Sequence, residues 1–327
     1  MKSVKLFRLL ILSGLICFGV ACSDDDDEVQ PPNNNNNNDN GETISAQIAA
    51  TTGLDSLEIA IAQVGFNTTL QSSGNHTFFA PSNQAFQQLL SDQSVQRVSH
   101  LADAAILDLL QYHLSSQAEY KSNDLNGRMY IESTNTGGPD STKLSIQVNG
   151  SGGSIVLNGE ATISEADIDA SNGVLHVIDN YIDKPTILNF LETDGRFDSL
   201  LILVRNNNLD YESRFSTGTK TLFAPDNQSF SNYISSEGAY NQMSDIPFLT
   251  IPSILDYHYI NNTNIRSNQM TQDQNMQTKQ GNSLTVDLTN GLQLETTNNG
   301  QSNVNVSETD IQATNGVIHR VDAVLKY

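Results

Sequence analysis

The stretch FFAPSNQAF at residues 78–86 returns as LFAPDNQSF at residues 222–230, placing Pro81 and Pro225 144 positions apart. Two further landmarks recur in the same order. Tyr112-His113 returns as Tyr257-His258, a shift of 145, and SNGVLH at 171–176 returns as TNGVIH at 314–319, a shift of 143. Landmarks at near-constant offset, in one order, require two copies of one domain. The 327-residue chain therefore divides into a first domain over 43–185 and a second over 186–327, each long enough to bury a core. DKPT around Pro185 is too short for a flexible linker, so the domains are expected to touch.

Within each copy, helical patterns precede strand patterns. Leu54, Leu57, Ile61 and Val64 form one stripe, and the spacing predicts a helix over 44–65. Ile187, Leu191, Leu200 and Leu201 repeat it. In APSNQAF and APDNQSF the proline biases the residue before it to extended backbone. Ser82 and Asp226 then stand where a helix N-cap is needed. The box thus reads as a strand end turning into a helix, with Pro81 and Pro225 structural and Phe86 and Phe230 pointing inward. Ile106, Leu109, Leu110 and His113 share one helical stripe, as do Ile251, Ile254, Leu255 and His258. KLSIQV and SLTVDL alternate with the period of a strand. ADIDASNGVLHVID and TDIQATNGVIHRVD each hold an Asn-Gly between two such runs, which predicts a hairpin. On its second strand His176 lies on the face of Val174 and Ile178, and His319 on that of Val317 and Val321.

The first 42 residues read differently. Lys2, Lys5 and Arg8 precede an apolar run from Leu9 to Ala21, too short for a spanning helix of roughly 20 residues. Residues 1–21 therefore read as a signal peptide. FGVAC ends it with small residues before Cys22 and resembles a bacterial lipobox, in which Cys22 would be lipidated; an ordinary cleaved secretory signal is the alternative. Of the two cysteines, Cys17 would leave with the signal and Cys22 would carry lipid, so no disulfide is expected. Residues 22–42 carry an acidic run, prolines and asparagines without apolar periodicity, and read as a disordered tether. The acidic run after Cys22 resembles the surface-export signal of Bacteroidetes lipoproteins, which implies an outer-membrane lipoprotein exposed on the cell envelope.

Charge excludes a class of partner. Removing three cations with the signal leaves 13 − 37 = −24, and no basic patch stands anywhere, so nucleic acid is excluded as a partner. Gly-x-Ser-x-Gly, His-Glu-x-x-His, P-loop and EF-hand patterns are absent from the sequence. The chain reads as no enzyme and needs no cofactor.

The boxes TFFAPSNQAF, YH and SNGVLHVID, then TLFAPDNQSF, YH and TNGVIHRVD, resemble in order and spacing those of the fasciclin domain family. The resemblance covers residues 43–327, with Phe78 replacing a leucine in the first copy and Arg320 a valine in the second. It implies an α+β fold of two tandem domains, each a wedge-like β-sandwich with packed N-terminal helices. It also implies adhesion or matrix contact. In animal members, contacts are ascribed to the Tyr-His region and to a Glu-Pro-Asp-Ile stretch before the closing box. Here those positions are Tyr112, His113, Tyr257 and His258, and Glu165-Ala166-Asp167-Ile168 and Glu308-Thr309-Asp310-Ile311, without the proline. Asp167, Ile168, Asp310 and Ile311 are thus candidate contact residues.

The structural readings stand beside these. A histidine on an apolar face is expected to be a core imidazole bonded to backbone, orienting helix against sheet, and not a metal ligand. This reading covers His176 and His319 in particular. An aspartate before a hairpin can serve turn chemistry. The expected partner is a surface protein or glycan, or a second copy of the chain. The alternative function is glycan capture on exposed Tyr120, Tyr130, Tyr211 or Tyr233, disfavoured by the lack of tryptophan.

Overall fold

Each repeat assembles the same parts from the same apolar pattern. The computed structural model describes residues 41–205, 209–238, 240–297, 301 and 303–327; the expected signal peptide, Cys22 and residues 23–40 lie outside the described residues. The first repeat runs α1 (Ile44–Ala50), α2 (Asp55–Val64), α3 (Asn67–Leu70), β1 (His76–Pro81), α4 (Asn83–Asp92) and α5 (Asp103–Tyr112). Six strands follow: β2 (Leu114–Ser115), β3 (Arg128–Glu132), β4 (Ser145–Asn149), β5 (Val156–Leu157), β6 (Ala161–Ala170) and β7 (Gly173–Ile178). The second repeat runs α6 (Ile187–Thr193), α7 (Asp198–Val204), α8 (Tyr211–Ser216), β8 (Lys220–Pro225), α9 (Asn227–Glu237) and α10 (Ile251–Tyr257). Its last strands are β9 (Tyr259–Asn261), β10 (Asn275–Gln277), β11 (Ser283–Asp287), β12 (Gln293–Glu295), β13 (Val304–Ala313) and β14 (Gly316–Val321).

Each repeat has one mixed seven-stranded sheet, ordered β2-β1-β7-β6-β5-β4-β3 and β9-β8-β14-β13-β12-β11-β10. The opening and closing boxes become neighbours: β1 lies parallel to β7, and β8 parallel to β14. The two faces of β1 serve two cores. Phe78 and Ala80, with Leu175 of β7, pack against Leu57, Ile61, Phe86 and Leu110 of the helices. Phe79 and Ile178 pack against Ile131, Ile146, Val148 and Leu157 of the other half of the sheet. The sheet is therefore folded over itself around β6, with the helices covering one outer face. The second repeat divides Leu222 and Phe223 between two cores in the same way. Each fully buried Leu, Ile or Phe contributes about 1.5–3 kcal/mol.

The helix expected over 44–65 is two helices. Thr51 leaves α1 with extended backbone, Gly53 takes φ +87°, and α2 starts after Leu54. The APxNxxF boxes end β1 and β8 at the buried Pro81 and Pro225. Ser82 Oγ then accepts the Ala85 N–H at 3.3 Å, and Asp226 Oδ1 the Ser229 N–H at 2.9 Å. The asparagine of the box does more than its sequence suggested. Asn83 Oδ1 accepts the Ser56 N–H at 2.9 Å and Asn227 Oδ1 the Ser199 N–H at 2.8 Å, so each box also caps the start of α2 or α7.

The Asn-Gly pairs are not simple turns either. Gly173 and Gly316 sit inside the first strand position of β7 and β14, at φ +147° and +145°. A Cβ there would lie 2.0 Å from the His76 carbonyl oxygen or 1.9 Å from that of Lys220. Glycine is required by the approach of the parallel neighbour strand. Asn172 Oδ1 accepts the Ile44 N–H at 2.9 Å, and Asn315 Oδ1 the Ile187 N–H at 2.8 Å, tying the first helix of each repeat to its sheet.

Candidate functional site: histidine clamps and a bulged strand

Four histidines are fixed in two opposite tautomers. At the end of α5, His113 Nδ1–H donates to the Leu109 carbonyl at 2.8 Å, and its Nε2 accepts the Ile182 N–H at 3.1 Å. At the end of α10, His258 Nδ1–H donates to Ile254 at 2.7 Å, and Nε2 accepts the Leu325 N–H at 2.9 Å. On β7 the roles reverse. His176 Nε2–H donates to the Tyr120 carbonyl at 2.8 Å, and Nδ1 accepts the Asp167 N–H at 3.2 Å. His319 on β14 repeats this with Ile265 at 2.9 Å and Asp310 at 3.4 Å. An imidazole that must donate from one nitrogen and accept at the other has to be neutral. Burial accordingly lowers the pKa of His113 and His258 to about 4, and lowers His176 and His319. The two strand histidines also stack in their cores, Phe79 on His176 at 5.7 Å and Phe223 on His319 at 5.5 Å between centroids. Among the described residues no group of three or more His, Cys, Asp or Glu is arranged to hold a metal ion.

The structure corrects the candidate contact role of the Tyr-His pairs. Tyr112 is 1% exposed, His113 0%, Tyr257 0% and His258 1%, so no partner reaches them in the folded chain. Tyr112 spends its hydroxyl on the Ser145 carbonyl at 2.8 Å, and Tyr257 on that of Ser283 at 3.0 Å. Both rings anchor α5 and α10 to the far half of the sheet.

Asp167 and Asp310 occupy a bulge. The ladder between β6 and β7 shifts register between Glu165 and Ile168, and that between β13 and β14 between Glu308 and Ile311. The aspartate in each gap takes φ near +60°, at 61° and 62°, a conformation Asp tolerates better than most residues. Asp167 Oδ1 accepts the Ser122 N–H at 2.7 Å while Oδ2 accepts the Ser122 hydroxyl. Asp310 holds Ser267 identically, at 2.8 Å to the amide. Burial would raise the Asp167 carboxyl, but the Ser122 hydroxyl and amide hold it below the ordinary carboxylate range. Each carboxylate therefore pins the loop that also caps the adjacent histidine. Beside this role Asp167 keeps 36% side-chain exposure and Asp310 20%.

The two bulge faces differ in what covers them. Ile168 is half-buried, whereas Ile311 is 1% exposed. Next to Ile311, the Gln312 N–H donates to Ser145 Oγ of the first repeat at 2.9 Å. Glu308 is bound by Arg196 at 2.9 Å and faces Arg320 at 3.4 Å. Its counterpart Glu165 is exposed, as is Ala166. The second face thus leans on the joint between repeats while the first is open.

That joint is built around Asp194, whose side chain is 0% exposed. Arg196 grips it through Nε at 3.0 Å and Nη2 at 2.6 Å. From the first repeat, the Tyr130 hydroxyl donates to it at 2.8 Å and Arg128 Nη1 at 3.2 Å. Burial would raise the Asp194 carboxyl; the Arg196 guanidinium holds it low. Tyr130 also stands edge-on to Phe190 at 5.2 Å. Tyr130 is therefore occupied at the joint, and Tyr211 is 2% exposed, which removes two of the four proposed glycan platforms. The joint tetrad was not legible in the sequence, because its four members come from β3 and from the turn after α6.

A family model for the fasciclin domain matches residues 52–184 and again residues 195–327. The chain is 32% identical over 180 residues to transforming growth factor-beta-induced protein ig-h3 of Sus scrofa, covering 54% of this chain and 24% of that protein. It is 27% identical over 258 residues to periostin of Homo sapiens, covering 78% of this chain and 29% of that protein. The chain thus spans less than a third of the length of these relatives. A FAS1 domain pair from the insect cell adhesion molecule Fasciclin I aligns with 86% of this chain and 96% of its own, at TM-score 0.51 and 17% identity. That likeness is one of fold.

Proposed function

The chain belongs to the fasciclin domain family, and we propose that it is a lipid-anchored adhesion protein of the cell surface without enzymatic activity. The observation that carries this reading is the tandem fasciclin match over most of the chain, in company with an insect cell adhesion molecule of the same fold. The buried polar groups agree with it. The four repeat histidines are spent on backbone atoms of their own domains. What the fold offers outward is surface, and the open bulge face of the first repeat is the part we assign to contact, at Glu165, Ala166, Asp167 and Ile168. The corresponding Asp310 and Ile311 face contributes less, since the joint occupies its edge. Fixing the two repeats through Asp194 would present that first face at a set angle to whatever lies beneath.

Anchoring is assigned to Cys22, the residue left after a signal ending at Ala21. Cells carrying the chain should adhere to a matrix-coated surface, or to one another, more than cells lacking it. Cys22→Ser should move the chain out of the membrane fraction and abolish the gain. Membrane retention of the serine variant at the level of the parent would refute the anchor, and adhesion indifferent to the chain would refute the function.

A further inference from the structure

The first repeat carries an open acidic cleft of about 590 Å3 between α4, the turn at Glu160 and the segment after β7. Asp92, Glu160, Asp179 and Asp183 line it, with Gln87 and Tyr181. Through Tyr181 and Asp183 it joins a narrower slot of about 160 Å3 between α4 and α5, where Leu89, Ile106 and Leu109 stand beside Asp108 and Lys184. Glu160 accepts the Asp183 N–H at 2.9 Å, Asp179 the Thr162 N–H at 2.7 Å, and Asp92 the Tyr181 hydroxyl at 2.9 Å. The neighbouring cation, Lys184, is turned to Asp108 at 2.5 Å. Burial raises the Glu160 and Asp183 carboxyls, and the charge of Asp92 raises Asp183 further.

The second repeat carries a cation of its own beside this place. There the Lys326 N–H donates to Gln301 Oε1 at 2.7 Å, as the Asp183 N–H does to Glu160, so Lys326 and Gln301 stand where the first repeat has Asp183 and Glu160. The Lys326 ammonium binds Glu237 at the end of α9 at 2.7 Å and lies over the Tyr233 ring at 5.3 Å. Tyr233 stands 144 residues after Leu89, which walls the slot in the first repeat. Tyr327 adds a second ring, 5.7 Å from Tyr257. The second repeat thus has a lysine where the first has Asp183, paired with Glu237 where the first has Gln93, and an aromatic ring where the first has Leu89.

We propose that the first-repeat cleft binds a basic peptide segment of a partner protein. A lysine or arginine of that segment sits among Asp92, Glu160 and Asp183, and a neighbouring apolar or aromatic side chain enters the slot. The charge favours this ligand over a neutral glycan, which would use the amide side chains but not the excess of carboxylates. No metal-holding group exists among the described residues to favour a divalent cation. The site lies apart from the bulge face, so its failure leaves the adhesion reading standing.

The test is fluorescence anisotropy on the full chain with fluorescein-labelled acetyl-Gly-Lys-Tyr-Lys-Gly-amide, beside the same peptide with both lysines changed to glutamate. Saturable binding of the lysine peptide alone is expected. Asp183→Lys, which copies the second repeat, and Asp183→Asn, which keeps the shape, should each weaken it about tenfold or more. Glu295→Lys, an equal change of charge on β12 of the second repeat, should leave it within about twofold. Melting curves establish that the variants fold. No binding to the parent chain, equal weakening by Glu295→Lys, full retention in the folded Asp183 variants, or a neutral oligosaccharide bound in the peptide's stead would each overturn the proposal.

Discussion

Acid should destabilise this protein through its buried histidines as the pH falls from about 6.5 to about 4. His113 and His258 each donate through Nδ1 and accept at Nε2, so a second proton on Nε2 would set two N–H groups against each other. Burial lowers both pKa values from 6.5 to about 4. The unfolded chain then binds protons that the folded chain refuses, and the sign follows. Stability is complete above about pH 6.5, falls as the pH drops below it, and this contribution is lost once the pH passes about 4. With one pKa unit worth 1.36 kcal/mol, each histidine costs its domain about 2 kcal/mol at pH 5 and about 3 kcal/mol near pH 4. His176 and His319 are lowered as well and act in the same direction. Glu160 and Asp183, being raised, act against it, and acid also relieves the self-repulsion of an acidic chain. The readout is therefore a difference between proteins. Urea unfolding at about pH 7.5 and about pH 5 should show the parent losing about 2 kcal/mol more than His113→Asn, which keeps a donor near Leu109 but does not titrate. The double variant with His258→Asn should reduce the pH slope of both domains, leaving the part due to His176 and His319. A His113→Asn protein with the same pH slope as the parent would refute the assignment of the proton to this ring.

Two further outcomes follow from the same geometry. Asp167→Ala should lower the stability of the first repeat by about 1–3 kcal/mol in urea unfolding, since it leaves the Ser122 amide and hydroxyl without their acceptor. Asp194→Ala strips a buried carboxylate from Arg196, Arg128 and Tyr130 and should cost about 3–5 kcal/mol by the same assay, with limited proteolysis reporting cleavage near residues 185–198.

The fold was legible because the repeat was. Three boxes at near-constant offset set two equivalent domains, and the alternation of Val174, His176 and Ile178 placed the histidine on an inward face. The break at Gly53 was hidden because the apolar stripe continues across it, from Ile48 to Leu54. The roles of Asn83, Asn172 and their twins were hidden for another reason. Their partners, Ser56 and Ile44, lie 27 and 128 residues away, beyond any local pattern. Tyr112 and His113 were marked as important by their recurrence, but recurrence does not separate a buried anchor from a contact residue. Asp167 was placed before a hairpin and proved to sit in a bulge, where the strand bends and its carboxylate turns back on Ser122. A contact between the repeats was expected from the short DKPT segment, but its chemistry was hidden, since Asp194 has no charged or aromatic counterpart at Thr51 in the first repeat.

The most direct test of adhesion through the first repeat uses positions that hold nothing in the fold. Glu165→Lys together with Ala166→Lys alters the exposed edge of the first bulge, and Thr309→Lys alters the exposed edge of the second. Adhesion of cells displaying each protein, measured under controlled flow beside melting temperatures of the same proteins, compares the two faces. Melting temperatures should be unchanged throughout, adhesion lost in the Glu165 and Ala166 double variant, and adhesion retained in Thr309→Lys. Full adhesion by the folded double variant would contradict adhesion through the first repeat.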